Sequence, residues 1–173
     1  NYGAGIWFKG GDLVISLEGN NKINASSNNG YSAGIFNSYD FKYGLTLTGG
    51  GSLDISSSDA NSSAYAIIIA KDITLDNVNV TASTGKANNT RNEVIRSEAG
   101  SIYIRNSTVY VESPDNDTVP YSRGLMAGNG LEGISITIEN STVTAIAGNA
   151  RSDSTAIEAN DVIIKNSFVI ADG

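Results

Sequence analysis

The sequence predicts an all-β chain, a right-handed parallel β-helix of about six turns with three short strands in each. Three observations carry this prediction. Four segments share one pattern: Ile73-Thr-Leu-Asp-Asn77-Val-Asn-Val80, Ile102-Tyr-Ile-Arg-Asn106-Ser-Thr-Val109, Ile136-Thr-Ile-Glu-Asn140-Ser-Thr-Val143 and Val162-Ile-Ile-Lys-Asn166-Ser-Phe-Val169. Their Asn residues stand 29, 34 and 26 apart, and a constant motif joined by connections of floating length marks a stacked solenoid. A small residue followed by a large aliphatic one recurs ahead of each motif, at Gly5-Ile6, Gly34-Ile35, Ala66-Ile67, Val94-Ile95, Gly124-Leu125 and Ala156-Ile157. No stretch carries the 3.6-residue apolar period of a helix, and β-branched residues dominate the apolar runs.

The first strand of each turn is the small-large run. Its large members, Ile6, Ile35, Ile67, Ile95, Leu125 and Ile157, are expected to stack inward as one column. The second strand opens the shared motif, with Ile73, Ile102, Ile136 and Val162 as its inward column. In the first two turns Gly replaces the Asn, and Ile15-Ser-Leu-Glu-Gly19 aligns with Leu45-Thr-Leu-Thr-Gly49. That alignment places Asp76, Arg105, Glu139 and Lys165 on one outward column as a ladder of alternating charge. Asp12, Asp72 and Asp161 each enter a second strand, where a carboxylate caps a corner by accepting backbone N–H bonds.

The Asn marks the corner into the third strand. Such a corner asks for left-handed dihedrals, which Asn and Gly tolerate best. Stacked Asn77, Asn106, Asn140 and Asn166 amides bonding from turn to turn are the structural expectation; a ligand-binding row is the alternative. The polar segments of variable length that follow the third strands serve either recognition or turn chemistry.

Composition narrows the function. The 173 residues, 40% of them hydrophobic, suffice for one continuous core, read as a single domain over 1–173. Opening on Asn1, it is expected to belong to a longer repeat-containing surface protein flanked by neighbouring domains. With no Cys and no His, disulfides, thiolate chemistry, Cys-ligated zinc and the usual general base are excluded. A net charge of −7 with scattered Lys and Arg speaks against nucleic acid. No run of about 20 apolar residues predicts membrane insertion.

The Asn at a tight corner between parallel strands resembles the pectate-lyase-like β-helix superfamily. Gly44-Leu-Thr-Leu-Thr-Gly-Gly-Gly-Ser-Leu53 and Lys71-Asp-Ile-Thr-Leu-Asp-Asn-Val-Asn-Val80 are similar to the carbohydrate-binding β-helical repeats of surface proteins in Gram-positive anaerobes. The resemblance covers the whole chain, but its motifs encode the coil rather than a site. It implies non-catalytic polysaccharide binding at the bacterial cell surface or outside the cell, often with calcium in the loops. The acidic Asp-Gly-rich loops of such calcium sites are absent here.

Aromatic residues are the candidate contact groups. Tyr2, Tyr31 and Tyr121 each stand four residues before a first-strand Ile or Leu, and Trp7 and Phe36 directly follow Ile6 and Ile35. An exposed row of rings would offer stacking platforms to pyranose faces. A neighbouring domain or the 37–43 loop folded over them is the competing reading. No cofactor is expected apart from calcium, for which Glu112, Asp115 and Asp117 supply oxygen ligands. No catalytic residue is assigned. The reading is a carbohydrate-binding or adhesion module with a polysaccharide or surface-glycan partner; a ligandless spacer, or a polysaccharide lyase or hydrolase, is the alternative.

Overall fold

The structure, a computed structural model, describes residues 2–27, 30–37, 42–128 and 130–173. These residues form a parallel β-solenoid of six three-stranded turns, with no helix among them. The first sheet consists of Tyr2–Trp7, Tyr31–Asn37, Ser63–Ile69, Arg91–Ser97, Tyr121–Ala127 and Asp153–Glu158. The second consists of Leu13–Ser16, Leu45–Thr48, Ile73–Asp76, Ile102–Arg105, Ser135–Glu139 and Asp161–Lys165. The third consists of Asn20–Ala25, Ser52–Ser57, Asn79–Ser83, Thr108–Glu112, Thr142–Ile146 and Phe168–Asp172. Every strand pairs only with its counterparts one turn away.

Both inward columns stand in the expected register. Ile6, Ile35, Ile67, Ile95, Leu125 and Ile157 are successive partners, as are Ile73, Ile102, Ile136 and Val162. The four central members of the first column are fully buried. The small residue before each large one also faces the core, so the first strand breaks the two-residue alternation there. A Cβ on Gly34 would lie 2.5 Å from Ile55 Cγ1 on the third sheet, which explains the small-then-large rule at that turn.

The first turn corrects the expected alignment. Leu13, Val14, Ile15 and Ser16 pair with Leu45, Thr46, Leu47 and Thr48, two residues away from the predicted match of Ile15 with Leu45. Leu17 follows Leu13 and Ile15 into the core just past the end of the strand. It fills the space beneath the next corner, where a Cβ on Gly49 or Gly51 would lie 2.7 Å from Leu17 backbone atoms. Gly49, at φ +108°, accepts both the dihedral and the crowding.

The Asn corner holds a second correction. Asn77, Asn106, Asn140 and Asn166 adopt φ between 46° and 55°, as expected of the left-handed region. Their amides, however, point to solvent and do not stack into a ladder. Serine builds the ladder. Ser107, Ser141 and Ser167 hydroxyls accept the N–H groups of Val78, Ser107 and Ser141 one turn away, at 3.2, 3.1 and 3.0 Å. Each also donates to the carbonyl two residues earlier, at 2.6–2.7 Å. The hydroxyl can do both because it carries a donor and acceptors on one short stem. Ser141→Ala leaves the buried Ser107 N–H unpaired, so urea denaturation should show a loss of about 1–2 kcal/mol.

The other corners obey the same logic with carboxylates. Asp12 accepts the N–H of Gly44 and Asp72 that of Ser101, both at 2.8 Å. On the loop side, Asp59 accepts the N–H of Lys86 one turn away at 2.7 Å, and the bridges Ala60–Ala87 and Asn116–Ala150 join successive loops. Those polar segments are therefore tied from turn to turn. The predicted charge ladder is aligned in register, but no ion pair links its members. Asp76 accepts the Asn106 amide instead, and Arg105 lies 5.2 Å over the Tyr103 ring.

Candidate functional site

The outer face of the first sheet differs chemically from the other outer faces. One of its columns runs Ala4, Ala33, Tyr65, Glu93, Arg123 and Thr155. A second runs Trp7, Phe36, Ile68, Arg96, Met126 and Glu158. A third carries Ser63, Arg91, Tyr121 and Asp153 in its later turns. The face is thus aliphatic and aromatic over the first three turns and charged over the last three. The second sheet's outer columns carry mostly Thr, Ser and alternating charges.

The charged half is a closed network. Glu93 has no solvent exposure. Its Oε2 accepts from Arg96 at 2.7 Å and its Oε1 from Arg123 at 3.0 Å. Arg91 stands 3.8 Å from the same Oε1. Arg123 is the hub, since its three guanidinium nitrogens reach Glu93, Asp153 and Glu158. Burial alone would lower the Arg123 pKa, but bonding to Glu158 and the charges of Glu93 and Glu158 outweigh it and raise the value. A planar fork can serve three carboxylates at once; a lysine ammonium lacks that geometry.

Groups at the edge of the network feel its burial. Glu98 lies 3.9 Å from Arg96, and desolvation raises its pKa despite that guanidinium. Tyr65 is buried beside Glu93. Desolvation first, then the Glu93 charge, raises its phenol pKa and keeps it protonated. Tyr121 stands at the rim with its ring 4.6 Å from Arg123 and 5.9 Å from Arg91. This double cation–π contact fixes the ring while one side stays open to solvent.

The predicted aromatic residues fall on this face, but not as a flat exposed row. Trp7 is 43% exposed, whereas Phe36 is only 2% exposed. Their ring centroids are 5.7 Å apart at an interplanar angle of 84°, so Phe36 buttresses Trp7 edge to face. Lys9 Nζ stands 3.8 Å from the Trp7 ring centroid. Tyr31 is half-buried and packs against the Phe36 and Tyr65 cluster. Tyr2 pairs with Tyr31 through its backbone; its side chain lies outside the described residues, as do loop residues 38–41. Among the described side chains, the face therefore presents two separated exposed rings, Trp7 and Tyr121.

The predicted oxygen ligands are not gathered into a metal-holding group, and no grouping of three such side chains occurs among the described residues. Glu112 accepts the Tyr110 hydroxyl at 2.8 Å. Asp115 accepts the backbone and side-chain nitrogens of Asn149 at 2.8 and 3.1 Å, a turn-to-turn cap like that of Asp59. Asp117 is exposed.

The sequence pattern brings Trp7 and Phe36 to this face but does not single out Glu93, Arg96, Arg123, Glu158, Tyr65 or Glu98. The readable signal was the position two residues before each large aliphatic one. There Tyr65, Glu93 and Arg123 follow one another on successive turns, which puts opposite charges in direct lateral contact. Comparison with known proteins assigns no family: no family model, no curated protein and no solved structure matches the chain.

Proposed function

We propose that the chain is a non-catalytic carbohydrate-binding or adhesion module of a secreted or cell-surface bacterial protein, with the outer face of the first sheet as its contact face. The observation that carries this reading is the pair of exposed, braced rings on that face. Trp7 is backed by Phe36, and Tyr121 is flanked by Arg91 and Arg123. Rings held in place before the ligand arrives lose little freedom on binding, and their surfaces match the apolar C–H faces of pyranoses. The partner is a polysaccharide or surface glycan, and no cofactor takes part.

The charged network supports a binding role over catalysis. A general acid or base must reach the substrate's proton, yet Glu93 has no solvent exposure and lies behind two guanidinium groups. In this reading the network stiffens the face and brackets Tyr121.

A glycan array probed with the intact chain and with Trp7→Ala tests the reading. Retention of at least one polysaccharide is expected, weakened by about 2 kcal/mol, roughly thirtyfold, in the variant. No retention on any neutral or acidic glycan would leave a spacer solenoid. Release of shortened product from a polysaccharide would replace the reading with an enzyme.

A further inference from the structure

Because serine hydroxyls form the ladder at the second corner, the asparagines there are freed from that duty. Asn106, Asn140 and Asn166 line a shallow groove of about 390 Å³ with Thr108, Thr142, Phe168 and two ladder serines. The Asn140 and Asn166 amides make no side-chain hydrogen bond, and the Asn106 amide bonds Asp76 at 3.1 Å. Thr108, Thr142 and Phe168 are successive partners on the third sheet, so an exposed ring (62%) ends a row of hydroxyls.

We propose that this corner is a second ligand site, separate from the first-sheet face, for a neutral glycan chain of extended β-1,4 type lying along the solenoid axis. The groove lining contains no charged residue in a chain of net charge −7. The residues immediately before the corner asparagines, Asp76, Arg105, Glu139 and Lys165, alternate in sign from turn to turn, so no run of like charge borders the groove. A carboxamide donates and accepts together, which matches sugar hydroxyls.

Spacing and rigidity agree with that ligand. Successive turns lie about 4.8 Å apart, close to the advance of one ring in an extended β-1,4 chain. One amide then meets each sugar, and Phe168 offers a stacking face at the end of the row. The backbones of the three groove asparagines are held at φ 46–50° with the serine ladder directly behind them, so the points from which the amides project are spaced before binding.

The test is a titration of the ¹⁵N-labelled protein with β-1,4-mannohexaose, cellohexaose and, as the charged control, hexagalacturonate. The side-chain NH₂ signals of Asn106, Asn140 and Asn166 should move with at least one neutral hexasaccharide and not with the charged one. The double variant Asn140→Gly/Asn166→Gly keeps the left-handed dihedral while deleting both amides. Its affinity should fall about tenfold. Amide signals that ignore both neutral probes, or equal affinity in the double variant, would overturn the proposal; a stronger response to hexagalacturonate would overturn its neutral character. The Trp7 indole signal reports the first-sheet face separately, so the two sites stand or fall independently.

Discussion

Glu93→Ala should destabilise the protein by about 3 kcal/mol in urea denaturation. Its carboxylate has no solvent exposure and receives Arg96 and Arg123. The side chains of those arginines are only 5% and 9% exposed. Removing the carboxylate strands guanidinium charge in a dry environment, and that penalty exceeds the loss of contact area. Arg123 retains Asp153 and Glu158, and Arg96 retains the longer contact with Glu98, which holds the loss near the lower end for broken buried ion pairs. Glu93→Gln keeps the shape and one acceptor oxygen, so a smaller loss of about 1–2 kcal/mol is expected. A loss below about 1 kcal/mol for Glu93→Ala would mean that the outer carboxylates satisfy both arginines by themselves.

Ile95→Ala should cost about 3 kcal/mol through lost burial and the cavity left behind. Ile95 is fully buried between Ile67 and Leu125 in the central column, and backbones pinned by the parallel ladders on either side cannot collapse into the gap. The same truncation at the end of the column offers the contrast. Ile157 is only partly buried, so Ile157→Ala should cost about 1 kcal/mol. Equal losses at the two positions would contradict a core built from stacked columns.

The solenoid was legible because its determinants are periodic. Inward aliphatic residues recur once per turn, and the left-handed Asn is forced by a corner that few residues can adopt. The first-turn register was not legible, since Leu13, Ile15 and Leu17 alternate at one spacing and either adjacent pair of them fits the two aliphatic positions of the motif. The ladder was misassigned to Asn for a related reason: Asn and the following Ser recur together in three motifs, and only geometry shows which one faces the neighbouring turn. The outer face of the first sheet was half legible. Trp7 and Phe36 were placed on the correct side of the sheet, but burial of Phe36 depends on Tyr31, Tyr65 and Ile68 packing around it. Glu93 and Arg123 were hidden because strict alternation from Ile95 and Leu125 would turn them inward, and only the small residue's own place in the core puts them side by side on the outer face.

Trp7 is the sole tryptophan, so intrinsic fluorescence reports the first-sheet face without labelling. Titration with the polysaccharide best retained on a glycan array should shift or quench that emission saturably. Tyr121→Ala should weaken the response by about tenfold while preserving the spectrum of the free protein. An emission unchanged at saturating, bound polysaccharide would contradict the assignment of the glycan contact to this face.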